Sequence, residues 1–220
     1  MKTSERLFAA VKDIWAQYDT HPFVTGMRDG TLDREKFRFY IMQDYLYLES
    51  YGRVFAVGIA KARTPELTQI FAHYLNMLTG AEMDLHRGYM GLLNITREDL
   101  DAMPLALDNR SYTSYMLRVA YEDGEVETLT SILSCAWSYE YIARNMLRAN
   151  AAAAEDPFYG DWVQGYVSER YAQDNVVLID ALDRLSADYN EAQLAHLEEI
   201  FVACSRYELA FWDMAWERKL

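Results

Sequence analysis

The sequence predicts an all-α fold, a bundle of seven or eight helices, and three observations carry that prediction. Apolar residues recur at intervals of three and four along nearly the whole chain, the period of an α-helix. Only ten glycines and four prolines interrupt 220 residues, too few turn formers for many short strands. Apolar residues make up 51% of the chain, which suits one large buried core, and nothing in residues 1–220 reads as a linker between two domains.

The elements follow in order. The first helix covers about 4–18, with Leu7, Val11, Ile14, Trp15 and Tyr18 on one face. His21-Pro22 and the stretch 26–30 read as loop, and a long helix follows over about 33–62. Thr64 and Pro65 supply an N-cap and a first helical position for a helix to about 93, weakened locally at Gly80 and Gly88. A short helix starts at 96–99 and stops before Pro104, and 107–110 reads as loop. Helices over 112–122 and 125–150 are separated by Gly124. After a linker at 151–156, Pro157 opens a helical stretch that breaks at Ser168 and resumes to about 186. The last helix covers 191–216.

The net charge of −13 argues against nucleic acid, whose phosphates such a surface repels. The longest uncharged apolar run, 54–60, is far too short to cross a bilayer, so no membrane association is expected. The N-terminal segment lacks the apolar stretch of a signal peptide. Cys135 and Cys204 alone cannot form a disulfide framework, and together these features point to a reducing cytoplasm.

The informative residues are those that interrupt the apolar stripes. Asp44 falls within Phe37, Ile41, Leu48, Tyr51 and Phe55; Glu82 within Leu75, Leu78, Leu85 and Tyr89; Glu208 within Leu197, Phe201, Cys204 and Phe211. A carboxylate on a core-facing stripe is costly without a partner. Three of them on three helices predict a polar chamber inside the bundle, where helical proteins place their sites. Cys135 shares a helix face with Ser131, Tyr139 and Ile142, but Cys204 lies one turn before Glu208, and spacing does not choose between the two thiols. No His follows a Glu by three residues, so the di-iron signature is missing, and the Glu82–His86 pair is a thin ligand set for any metal. Zinc-type Cys/His clusters, phosphate loops, dinucleotide fingerprints and nucleophile elbows are also missing. Neither a metal nor a cofactor is expected.

A further set of motifs runs from end to end: His21-Pro22-Phe23-Val24, Gly30-Thr31-Leu32, Gln43-Asp44-Tyr45-Leu46-Tyr47-Leu48 and Glu82-Met83 with Leu85-His86. They continue with Ser111-Tyr112-Thr113-Ser114-Tyr115-Met116, Cys135 with Trp137 and Tyr139, Gly165-Tyr166, and Tyr207-Glu208 with Phe211-Trp212. In their order and spacing these motifs resemble the thiaminase II (TenA) family, in its cysteine-containing branch. The resemblance implies a haem-oxygenase-like helical fold, usually without haem, assembled as a homotetramer. It implies an aminopyrimidine aminohydrolase that converts 4-amino-5-aminomethyl-2-methylpyrimidine to the hydroxymethylpyrimidine and ammonia in thiamin salvage, with thiamin as a further substrate.

By the same resemblance Cys135 is the nucleophile, which chooses it over Cys204, and Glu208 is the proton donor to the departing amine. Asp44 binds the amidine-like edge of the ring. Tyr47 supports Asp44 and the thiol, while Tyr112, Tyr139, Tyr166 and Phe211 enclose the ring. No role is implied for Glu82. Ala136 stands where aromatic residues are common in the family. Two other readings compete: a haem-oxygenase-like oxidase with metal at Glu82 and His86, and a regulatory protein that binds a pyrimidine without turnover. Retention of Cys135, Asp44 and Glu208 together argues against the second.

Overall fold

In the computed structural model, side chains are described for all residues except 81–84. Eleven α-helical segments occur among the described residues, and no strand. α1 (Thr3–Thr20) is followed by α2 (Pro22–Arg28) and the long α3 (Arg34–Lys61). α4 (Pro65–Met77) runs through a π-helical turn (Leu78–Glu82) into α5 (Met83–Leu92), and the short α6 (Arg97–Ala102) follows. α7 (Leu107–Glu122) and α8 (Glu125–Ala149) lead to a 3₁₀ turn (Ala151–Glu155). α9 (Gly160–Val167), α10 (Glu169–Leu185) and α11 (Glu191–Glu217) complete the chain. The all-α expectation holds, with segments more numerous because short pieces appear and one long helix is divided.

Three of the differences have physical reasons. Residues 22–28 are helical rather than loop because Pro22 occupies the first helical position and the His21 imidazole accepts from the Phe23 amide at 3.2 Å. Gly30 then takes φ +68°, and the Gly26 carbonyl collects the amides of Thr31 and Leu32. The helix begun at Pro65 is interrupted by the π turn around Gly80, the position already weak in helix propensity. Finally, 107–110 forms the first turn of α7 although no local side chain caps it.

The missing cap comes from another helix. Gln43 of α3, fully buried, donates Nε2 to the Pro104 carbonyl at 2.8 Å and accepts the Ala106 amide at 3.1 Å. Asn109 Nδ2 in turn donates to the Gln43 carbonyl at 2.8 Å. One amide side chain thus fixes the start of α7 against the residue preceding Asp44.

The core is organised around α3, α8 and α11, which pack against one another with α1, α4, α7 and α10 around them. Aromatic residues fill it. Trp15, Trp162, Trp212, Tyr40, Tyr112 and Phe211 are all buried. Where α1 meets α11, two polar ends find partners: Trp15 Nε1 donates to Ser205 Oγ at 3.0 Å and the Tyr18 hydroxyl to the Ser205 carbonyl at 2.6 Å.

Gln43→Ala leaves the Ala106 amide and the Pro104 carbonyl without their buried partner, while Asn109 keeps its bond to the residue-43 carbonyl. The expected loss is about 3 kcal/mol of unfolding free energy. For a chain of this size that lowers Tm by about 6–12 °C. Calorimetry showing an unchanged Tm would remove Gln43 as the cap of α7.

Candidate active site

Six helices contribute to one chamber. α3 supplies Asp44 and Tyr47, α5 His86, α7 Tyr112, α8 Cys135 and Tyr139, α9 Tyr166, and α11 Glu208 and Phe211. A cleft of about 600 Å³, its open mouth included, reaches this chamber from the surface. Its inner end is lined by Asp44, Tyr47, Cys135, Tyr139 and Tyr166. Tyr112 and Phe211 lie one layer deeper, their rings 5.3 and 5.8 Å from that of Tyr47. Glu208 is buried with them at 2% exposure and does not line the cleft.

All eight residues expected from the sequence therefore fall in one region. Asp44 and Glu208 reach it because each sits at the centre of an apolar stripe on a helix that faces the core. Side chains spaced by three and four along α3 and α11 point the same way, so the acids are carried inward with their neighbours.

The electrostatics distinguish the acids. Burial disfavours the charged form of Glu208, and the nearby charge on Asp44 disfavours it further, so the carboxyl is pushed up to about 8. The Tyr112 and Tyr139 hydroxyls oppose the shift without cancelling it. The Tyr112 hydroxyl is buried and lies near Glu208, but it has no partner within hydrogen-bond geometry among the described residues. Tyr139 reaches the Tyr40 hydroxyl at 3.4 Å, and Tyr40 accepts from Trp162 Nε1 at 3.2 Å. Both acids and Cys135 contribute to the field at Tyr139, which places that phenol among the three chemical groups.

Asp44 is held by a residue with no role in the sequence reading. His86 Nε2 lies 2.6 Å from Asp44 Oδ2, and both side chains are almost fully buried. The bond leaves Oδ1 for another donor while His86 sets the plane of the carboxylate. His86 was visible in the sequence only as a possible metal ligand, four residues after Glu82; its place opposite Asp44 depends on how α5 crosses α3. The Glu82 side chain lies outside the described residues. Among the described residues, no group of three His, Cys, Asp or Glu could hold a metal ion.

Tyr47, expected to support Asp44 and the thiol, lines the cleft with both. Its hydroxyl donates to Met116 Sδ at 3.8 Å, while Cys135 contributes to the field around it. The two thiols are also separated by position. Cys135 lines the cleft, whereas Cys204 is fully buried outside it, and burial pushes its thiol far above the usual range. Asp174 and Asn175, at the cleft's outer end, had no sequence signal at all.

The raised acid has a thermodynamic consequence. Glu208 holds its proton up to about pH 8 when folded but only to its ordinary 4.5 when unfolded. The folded state carries the extra proton between those values, so stability falls as pH rises from about 4.5 through 8 and levels off above. Each tenfold difference in proton affinity between the two states corresponds to roughly 1.4 kcal/mol, giving a few kcal/mol across the window. Glu208→Gln should lack this component. Urea unfolding at about pH 5 and about pH 8.5 measures it as a stability gap between wild type and variant that narrows or reverses at the higher pH. A gap of constant size across the window would mean that Glu208 titrates normally.

Comparison with known proteins adds an independent line. Residues 8–218 match the family model described as the TENA/THI-4/PQQC family. A protein of Helicobacter pylori named aminopyrimidine aminohydrolase is 39% identical over 217 residues, covering 99% of this chain and 100% of its own. The solved structure of a TenA homologue from P. horikoshii OT3 superposes with a TM-score of 0.89 at 30% identity, covering 99% of both chains. A domain from Shewanella denitrificans described as having a haem-oxygenase-like fold superposes at 0.78 with 15% identity, covering 97% of this chain and 92% of that one, a likeness of fold alone.

Proposed function

The chain belongs to the TENA/THI-4/PQQC family, and from that premise we propose that it is an aminopyrimidine aminohydrolase of the thiaminase II type. Its substrate is 4-amino-5-aminomethyl-2-methylpyrimidine, which it converts to the hydroxymethylpyrimidine and ammonia, and thiamin is a second, cleavable substrate. The observation that carries this reading is Glu208: a buried acid that keeps its proton near neutral pH, in the same chamber as a thiol and a second carboxylate.

In the proposed mechanism Asp44, oriented by His86, accepts hydrogen bonds from the ring's amidine-like edge. The Cys135 sulfur adds to the ring carbon beside the one that carries the aminomethyl group, and the ring loses its aromaticity. Electrons returning through the ring expel the amine as Glu208 protonates it, because an unprotonated amine is a poor leaving group. Water then adds to the exocyclic methylene, with the Glu208 carboxylate taking its proton. Departure of the Cys135 sulfur restores the aromatic ring. The sum is substrate plus water to alcohol plus ammonia. Tyr47, Tyr112, Tyr139, Tyr166 and Phe211 provide the flat aromatic enclosure, which also limits the water that competes for Glu208.

Residues 1–220 act in this reading as one thiaminase II-like domain, working as a homotetramer in the cytoplasm. Among the described residues no helix is long and apolar enough to cross a membrane.

Ammonia release from a panel of aminopyrimidines tests the reaction, with the aminomethyl compound turning over fastest; activity on none of them would reject it. Within that assay Cys135→Ser should abolish turnover and Cys204→Ser should keep most of it. Equal loss in both would remove the nucleophile assignment. Glu208→Gln should lower kcat at least about 100-fold with little change in substrate binding. Asp44→Ala should instead weaken binding at least about tenfold, because the ring loses a charge-assisted anchor. Matching effects of the two acid substitutions on kcat and KM would undo their division of labour.

A further inference from the structure

Two buried indoles flank Tyr139, and they differ in one respect. The rings of Trp162 and Trp212 lie 5.8 and 5.5 Å from that of Tyr139. Trp162 Nε1 is engaged, donating to the Tyr40 hydroxyl at 3.2 Å. Trp212 stacks on the Tyr40 ring at 5.5 Å, but its Nε1 is buried with no hydrogen-bond partner among the described residues.

An indole N–H donates and never accepts. The Tyr40 hydroxyl, fully buried, accepts that bond and has one proton of its own to place. Its other partner is the Tyr139 hydroxyl at 3.4 Å. If Tyr139 donated across that contact, the Tyr40 proton would be buried without an acceptor, which is costly. The bonds therefore run from Trp162 to Tyr40 to Tyr139, and the Tyr139 proton is left for the chamber. Tyr139 lines the cleft, and its hydroxyl favours the charged form of Glu208. Asp44, Tyr40 and Tyr47 of α3, Tyr112 of α7, Tyr18 of α1, and Cys135 and Tyr139 of α8 surround this region, with Cys204 on the same helix as Glu208.

We propose that Trp162 and Tyr40 are positioning residues for the acid: they fix the direction of a hydrogen-bond chain that turns the Tyr139 proton toward the Glu208 carboxyl. No proton travels along the chain; each stays on its own atom. While Glu208 is protonated, the oxygen facing Tyr139 accepts, so the acid's proton sits on the other oxygen, free for the departing amine. Once that proton has gone, the same donor stabilises the buried carboxylate, which next takes a proton from water. The catalytic use of the chain rests on the aminohydrolase reading; its direction does not.

The titration midpoint of Glu208, read by carboxyl NMR without substrate, tests the chain in four variants. Tyr139→Phe removes the final donor and should move the midpoint up by at least about one pH unit. Trp162→Phe touches neither acid but frees Tyr40 to accept from Tyr139, so the midpoint should rise by at least about half a unit. Tyr40→Phe, which removes a single oxygen and so perturbs packing least, should move it the same way by at least about 0.3 unit. Trp212→Phe is the packing control: it opens a similar space against the same two tyrosines but breaks no hydrogen bond, and should shift the midpoint by less than about 0.2 unit. In the ammonia assay the alkaline limb of kcat against pH should move in the same order. A midpoint that stays in place in Trp162→Phe and Tyr40→Phe alike, or that moves as far in Trp212→Phe, would overturn the chain while leaving the aminohydrolase reading standing. Midpoints that shift as expected in a protein releasing no ammonia from any aminopyrimidine would support the chain and reject that reading.

Discussion

Two carboxyl groups share one water-poor chamber, and most of the local structure follows from that constraint. Charged groups are costly to bury, and two like charges side by side are costlier still. The structure resolves the conflict asymmetrically. Asp44 is paired with His86 through a direct hydrogen bond of 2.6 Å. Glu208 is left among phenols in a buried setting and keeps its proton, raised to about 8. An acid able to give a proton and a carboxylate able to anchor a cationic or amidine-like edge thus arise from the same residue chemistry in different surroundings.

The aromatic shell makes that asymmetry rigid. Tyr40 links Trp162 to Tyr139, and its ring stacks on Trp212 at 5.5 Å. Tyr47, Tyr112 and Phe211 continue the shell, with Tyr47 on the cleft and the other two rings packed against it. Large rings with few rotatable bonds hold their positions at small entropic cost, so the acids are framed before any ligand arrives. Gln43 extends the framing to the backbone by pinning the start of α7, which carries Tyr112, next to the residue that carries Asp44.

Much of this was legible in the sequence because helical periodicity is local. A carboxylate in mid-stripe on α3 or α11 has to face the core wherever those helices lie, so Asp44 and Glu208 were identifiable without knowing the packing. Spacing did not separate the thiols: Cys135 and Cys204 look alike by it, the family resemblance pointed to Cys135, and the crossing of α8 with α3 and α11 puts Cys135 on the cleft and Cys204 behind it. His86 was hidden for the same reason, since its partner lies 42 residues away on another helix. The first turn of α7 read as loop because its cap is Gln43, remote in sequence. Asp174 gave no signal, as it reaches the cleft only where α10 meets α4. What the sequence withheld is consistently the relation between helices rather than the helices themselves.

The central claim is that Glu208 is a protonated acid near neutral pH. Carbon-13 NMR of protein labelled at the Glu side-chain carboxyl, with Glu208→Gln to assign the signal, measures this directly. One carboxyl resonance should titrate with a midpoint near pH 8 and vanish in the variant. A Glu208 resonance that titrates near the ordinary 4.5 would contradict the account, because the chamber would then hold two charged acids and no proton to deliver.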